Sequence, residues 1–374
     1  MCKEASLIKE REEEMIQYQH GGDVYTALLK DGKEREAWMD FSANINPLGT
    51  PKSVQKAIQK AALQLEDYPD PLCRELREAI AQKEELDPAN IVCGNGAADL
   101  IFRIITALSP QKAVLLAPTF SEYEKALTEK GCTLFFYALQ EEKGYTLKGQ
   151  ELIAFLEEKE SVEVLFLCNP NNPTGQMLLK EEIEQILSYC QGKGIFVVVD
   201  ECFIDFLEEP WKASVKALLP QYECLLILKA FTKLYALAGA RLGYALSGNT
   251  SLIEKIQHTG QAWSVSSLAQ AAGIASLKEE VYVEETKKLI QKERTFLKEE
   301  LKRLGMKVYG SHANYLFFFT KETSSLEKWL YKRKILIRNC SNYRGLCQGY
   351  YRVAVRSPKE NRKLIEEIRR WKNG

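Results

Sequence analysis

Residues 163–200 read EVLFLCNPNNPTGQMLLKEEIEQILSYCQGKGIFVVVD, and their pattern decides the fold. Two apolar runs rich in branched residues, EVLFLC (163–168) and IFVVVD (195–200), flank a segment of helical period from Glu181 to Gln191. Neither run alternates apolar with polar residues, so each predicts a strand covered on both faces. Strand, helix and strand in that order make a parallel crossover unit. Outward from it lie further strand runs: IVC (91–93), AVLLA (113–117), LFFYAL (134–139), LLILK (225–229) and RLGYAL (241–246). Helical segments such as Glu122 to Lys130 separate most of them. The chain therefore predicts an α/β domain with a mostly parallel seven-stranded sheet between helices. Thr50-Pro51 reads as a helix start, a hydroxyl N-cap with proline in the first turn, and Val54, Ala57, Ile58, Ala61 and Leu65 share one face.

Beyond residue 285 the texture changes. A long charged helix (Thr286 to Leu304) leads into YLFFFT (315–320), ILIRN (335–339), YYRVAVR (350–356) and a final helix from Pro358. These elements predict a smaller α+β C-terminal domain. No linker rich in proline or glycine precedes it, so the two parts are expected to share an interface with a ligand cleft.

The chain has 374 residues, and 51 Lys plus Arg balance 51 Asp plus Glu. A zero net charge argues against a nucleic-acid partner or a membrane surface, which call for a basic surplus. Any anion must be met by a few placed cations. No apolar run approaches the roughly 18 residues of a membrane span. Met1 to Gln19 carries Glu12-Glu13-Glu14 and no signal-peptide core. Ten cysteines include no Cys-x-x-Cys pair, and several lie in strand runs, which predicts reduced thiols in a cytoplasmic protein. Three histidines, His20, His258 and His312, are not spaced as a metal pair, so no metal site is expected.

Four loops carry candidate chemistry, each after a strand. In VCGNGAADLI (92–101), Gly94 and Gly96 open a helix whose first N–H groups could bind an anion; a tight strand-to-helix turn reads equally well. In CNPNNPTG (168–175), prolines fix the backbone around paired asparagines at the sheet edge. Asp200 ends an apolar strand, where a carboxylate is costly unless it meets a cation or a donor. Lys233, with Phe231, Leu234 and Tyr235 around it, would lose solvation and become a better nucleophile; Arg241 follows eight residues later. A surface lysine and a structural ion pair are the bland readings of the last two loops.

Together, NPTG, the strand-terminal Asp and the Lys-to-Arg spacing before LGY resemble the fold-type I pyridoxal-phosphate enzymes of the class I/II aminotransferase superfamily. Nearly the whole chain, from His20 to the C-terminal helix, takes part. HGG (20–22), DFSANINPLG (40–49), WSV (263–265), ANYL (313–316), ILIRNCSNYRGL (335–346) and YYRVAVRS (350–357) are similar to its histidinol-phosphate aminotransferase subgroup, and within it to the L-threonine-O-3-phosphate decarboxylase branch. The resemblance implies pyridoxal 5'-phosphate as cofactor and three regions: an arm closing over the active site (1–48), a large cofactor domain (49–285) and a small domain (286–374).

It also implies roles. Lys233 would hold the cofactor and later carry the proton to the substrate carbon, and Asp200 would pair with the ring nitrogen. Asn172 would donate to the ring hydroxyl oxygen, and Phe120 or Tyr123 would cover the ring face. Arg241 and the N–H groups of Asn95, Gly96 and Ala97 would hold the cofactor phosphate, and Tyr68 would reach the phosphate of a neighbouring subunit, implying a homodimer. His20, Gly21, Asn44, Asn172, Arg338 and Arg352 would surround a small phosphorylated amino acid. One departure stands out: Ala230 occupies the place of a serine that donates to the phosphate, a loss of about 1 kcal/mol unless Thr232 or a water replaces it. The implied reaction is decarboxylation of O-phospho-L-threonine to (R)-1-aminopropan-2-ol O-2-phosphate for the cobalamin nucleotide loop. Decarboxylation of O-phospho-L-serine and histidinol-phosphate transamination are the alternatives.

Overall fold

Thirteen strands organise the computed structural model, which describes residues 21–31, 34–322 and 325–374. They are β1 (Met39–Asp40), β2 (Ile91–Gly94), β3 (Lys112–Ala117), β4 (Thr133–Ala138), β5 (Val164–Cys168), β6 (Phe196–Asp200), β7 (Leu225–Ala230), β8 (Gly243–Leu246), β9 (Lys307–Val308), β10 (Tyr315–Phe319), β11 (Ile335–Leu336), β12 (Arg338–Asn339) and β13 (Tyr350–Ala354). The seven predicted strands form one sheet in the order β2-β8-β7-β6-β5-β3-β4. Only β8 runs against its neighbours, because residues 231–242 hold a single helical turn, Phe231–Leu234, instead of a crossover helix.

The continuous apolar runs are explained by burial on both faces. Val197, Val199, Leu225 and Ile227 point into one core, and Val198, Leu226 and Leu228 into the other. Each such side chain contributes roughly 1.5–3 kcal/mol on leaving water. Helix Lys180–Lys193 makes the β5-to-β6 crossover, with Ile183, Ile186, Leu187 and Cys190 inward.

β12, β13, β10 and β9 form a second, antiparallel sheet, and β1 pairs with β11 in parallel. That pairing fastens residues 39–40 of the arm to the C-terminal part. Phe41 then continues the link, donating its N–H to Leu336 and accepting from Ala354, both at 2.8 Å.

Three sequence expectations are corrected. Thr50 does not cap its helix: its hydroxyl donates to the Ala236 carbonyl at 3.0 Å, Pro51 takes the cap position, and Leu65 lies exposed beyond a 3-10 turn. The long helix begins at Glu280 and runs to Arg303, across the expected 285/286 boundary. ILIRN is not one strand, since β11 and β12 join different sheets. The final helix, Pro358–Asn373, starts as expected and closes a capping box between Ser357 and Glu360. Among the described residues no helix is long and apolar enough to cross a membrane.

Candidate active site

The carboxyl ends of β2, β5, β6 and β7 bring the four loops to one edge of the sheet, where open α/β folds place ligands. Asp200 ends β6 directly opposite Cys168, the last residue of β5. Lys233 stands on the helical turn that follows β7. Phe231 packs on Tyr235, one turn on, and on Tyr244, and Tyr235 stacks on Tyr282. The aromatic ring beside the Lys233 amine is instead Phe203, 6.0 Å away. The amine's pKa is pushed down to about 8, first by burial and then by the positive charges of Arg352 and Arg241.

Asp200 is buried and, among the described residues, is paired with no cation. Its carboxylate accepts from the Tyr123 hydroxyl at 2.6 Å and from the Cys202 N–H at 2.9 Å. Tyr123 therefore does not cover an open ring site, as expected from sequence: it is 0% exposed, stacked on Phe166, with its hydroxyl on Asp200. Phe120, half-buried and edge-on to Tyr123, is the aromatic that remains for a ring face.

The anion cradle also differs from expectation. The Asn95 N–H bonds the Asp99 carboxylate at 3.0 Å and the Gly96 N–H bonds the Gly94 carbonyl at 2.8 Å. Of the three expected donors, the Ala97 N–H, at the start of helix Ala97–Leu108, is the one without an acceptor among the described residues. Two glycines make room here: a Cβ on Gly243 would lie 2.6 Å from the Ala97 nitrogen, and one on Gly96 would lie 2.8 Å from an Arg241 nitrogen. Arg241 thus lies against Gly96, exposed, with one bond to the Ala238 carbonyl. Thr232, next to Ala230, is buried and its hydroxyl meets no described donor or acceptor.

Arg352 reaches this edge from β13. It is buried, donates to the Asn172 side-chain oxygen and, at 2.7 Å, to the Ser42 carbonyl, while its Nε has no partner among the described residues. Asn172 is thereby fixed by Arg352. Gly21 lies on Ser42, where a Cβ would strike the carbonyl at 2.1 Å, so the arm passes over Arg352. Asn44 is buried, and its side-chain oxygen is unpartnered among the described residues. Arg338 sits opposite Arg352 in register on β12, half-buried, its guanidinium bonded to Asn339 and Asn342 at 2.8 Å. Ser42, Phe203 and Tyr315, whose ring lies 5.5 Å from the Arg352 guanidinium, also border the group and escaped the sequence reading.

His20 lies outside the described residues. Tyr68 does not join the cluster: it is 80% exposed and stacks on Trp263 at 4.7 Å. A separate cavity of about 670 Å³ is lined by Phe231, Leu234, Tyr235 and Lys229 but by none of Lys233, Asp200, Asn172 or Arg352, so it is not the site built here.

The family model for aminotransferase class I and II matches residues 36–368, and the chain belongs to that family. It is 34% identical to threonine-phosphate decarboxylase of Salmonella typhimurium over 352 residues, 94% of this chain and 95% of the relative. It is 32% identical to the adenosylcobalamin biosynthesis bifunctional protein CobDQ of Leptospira interrogans over 93% of this chain and 40% of that protein. Among solved structures, the histidinol-phosphate aminotransferase from Clostridium acetobutylicum superposes with a TM-score of 0.82 at 32% identity, covering 89% of this chain and 98% of that one. Enzymes of this family work with pyridoxal 5'-phosphate, and the residues present fit it. Arg241 beside the Ala97 N–H suits a phosphate, the low-pKa Lys233 amine suits an aldehyde, and Asp200 is a buried carboxylate with no cation paired to it among the described residues.

Proposed function

We propose that the chain decarboxylates O-phospho-L-threonine to (R)-1-aminopropan-2-ol O-2-phosphate and carbon dioxide, in cobalamin biosynthesis. The observation that carries this reading is the direct opposition of Arg338 and Arg352 on β12 and β13. Like charges facing each other on paired strands are unfavourable unless an anion joins them. A phosphorylated amino acid offers two anions. The threonine-phosphate decarboxylase relative supports this substrate, and the adenosylcobalamin biosynthesis relative, of which this chain spans 40%, supports the pathway.

In this reading Lys233 would hold the cofactor, Asp200 would take its ring nitrogen, and Arg241 with the Ala97 N–H would take its phosphate. Asn172 and Phe120 would border its ring. Pyridoxal phosphate, when bound, draws electrons from the bonds at the substrate α-carbon. The protein's part is to choose the bond. Arg352, fixed by Asn172 and the Ser42 carbonyl, and Arg338 grip the substrate anions so that the carboxylate bond, rather than C–H, is presented for cleavage. Lys233, in its protonated form, would deliver the proton that takes the place of the departing carboxylate at the α-carbon.

Purified enzyme supplied with each phospho-amino acid is expected to release carbon dioxide from O-phospho-L-threonine, with kcat/KM for O-phospho-L-serine lower by roughly 10–200-fold, the range one methyl group allows. Equal or reversed kcat/KM would move the assignment to the serine substrate, and release from neither would remove the decarboxylase reading.

A homodimer belongs to the same proposal. Tyr68 and Trp263 form an exposed aromatic pair, and Leu63, Leu65 and Leu72 nearby in sequence are exposed too. Such apolar surface suits a second copy of the chain. Sedimentation is expected to return twice the 42.6 kDa chain mass, and Tyr68→Ala to shift it toward one; a wild-type monomer would refute the pairing.

A further inference from the structure

A backbone N–H and a phenol hydroxyl hold the two oxygens of the Asp200 carboxylate, and the Cys202 thiol also lies against it. Cys202 gives its backbone N–H to Oδ1 at 2.9 Å, and Tyr123 gives its hydroxyl to Oδ2 at 2.6 Å. Tyr123 is fully buried, its ring stacked on Phe166 at 5.0 Å and set edge-on to Phe120 at 5.5 Å, and its hydroxyl also lies against the Cys168 thiol. Helix Ser121–Glu129 begins two residues earlier, so its first turn delivers Tyr123 inward under β5 and β6 while Phe120 stays at the cap. The titratable and charged groups around Asp200 are Tyr123, Cys168, Cys202, Tyr315 and Lys233.

We infer that Tyr123 is a positioning residue, which aims the Asp200 carboxylate at the cofactor's ring nitrogen by holding its Oδ2. The inference rests on the proposed pairing of Asp200 with that nitrogen. A donor on one carboxylate oxygen fixes the direction in which the other can face, and its loss leaves the carboxylate free to turn. Burial and the Asp200 charge hold the phenol well above the usual tyrosine range, so it remains a donor at every working pH. The bond lies on the carboxylate and reaches no substrate, which separates its effect from substrate binding.

The test uses the cofactor-loaded enzyme and reads the cofactor Kd and the pH midpoint of its bound visible absorbance. Tyr123→Phe keeps the ring and deletes the donor. It is expected to weaken the cofactor about ten-fold and to move the midpoint by about one pH unit, the effect of losing one charge-assisted hydrogen bond. The substrate KM should stay unchanged. Phe166→Leu, which loosens the same ring without touching the bond, is expected to lower the thermal midpoint and leave Kd and the pH midpoint in place. Asp200→Asn must move both readouts if the underlying pairing is right.

A folded Tyr123→Phe enzyme with wild-type Kd and pH midpoint, beside an Asp200→Asn enzyme that has lost both, overturns the inference alone. If neither variant moves them, the pairing of Asp200 with the cofactor falls as well. A Phe166→Leu shift as large as that of Tyr123→Phe reduces Tyr123 to packing and also overturns it. Should Tyr123→Phe not fold, 3-fluorotyrosine at position 123 strengthens the donor and must move the midpoint the opposite way; no movement overturns the inference.

Discussion

Lys233→Ala is expected to abolish carbon dioxide release, a fall of roughly 10⁴-fold or more, since one change removes both the cofactor's attachment and the acid at the substrate carbon. The visible absorbance of the purified enzyme should vanish with it. The fold should persist, because the amine makes no hydrogen bond to a described residue and its nearest aromatic, Phe203, stands 6.0 Å away. The wild-type amine gives a second reading of the same residue. Its pKa is lowered from 10.5 to about 8, so the neutral, reactive form becomes the major one above that pH. In cofactor-free protein, capture of an aldehyde by Lys233 should climb about ten-fold per pH unit below 8 and level off above it. A climb that continues to pH 10 would show an ordinary surface amine, and retained turnover in Lys233→Ala would remove the residue from its role.

Arg352→Ala carries the next largest effect. Arg352 is buried, and its loss deprives the substrate of a fork-shaped cation while leaving the Ser42 carbonyl and the Asn172 side chain without their donor. A charged hydrogen-bonding group of this kind is worth about 3 kcal/mol, so the substrate KM should rise on the order of 100-fold. Cofactor should remain bound, since the cradle of Arg241 and Ala97 does not depend on β13. Arg352→Lys keeps the charge but not the two-pronged geometry and should recover only part of the loss. Steady-state kinetics with an absorbance check decide the matter: an unchanged KM contradicts the assignment, and loss of cofactor would put Arg352 among the cofactor's supports.

Much of this was legible in the sequence for definite reasons. Strands β5, β6 and β7 are buried on both faces, so their runs are continuous and their carboxyl ends, with Asp200 and Lys233, are easily placed. Arg352 was legible through the motif around it. What stayed hidden depends on local geometry that residue type does not specify. Phe120 and Tyr123 are both aromatics at one helix start, and only the turn itself decides which faces inward. The Asn95 N–H looked available for an anion, yet Asp99, an acid in the first helical turn, reaches back to take it. That acid was the available signal, as in any capping arrangement. β1 and β11 are two residues each, too short for any periodicity to show, so the fastening of the arm to the C-terminal part could not be read.

The central claim is that this site breaks a carboxylate bond where the fold's aminotransferases break C–H. One measurement addresses it directly: enzyme, O-phospho-L-threonine and 2-oxoglutarate together, with carbon dioxide and glutamate counted in the same vessel. Carbon dioxide equal to substrate consumed, with glutamate at background, is the predicted result. Glutamate formed in step with substrate loss, without carbon dioxide, would contradict it.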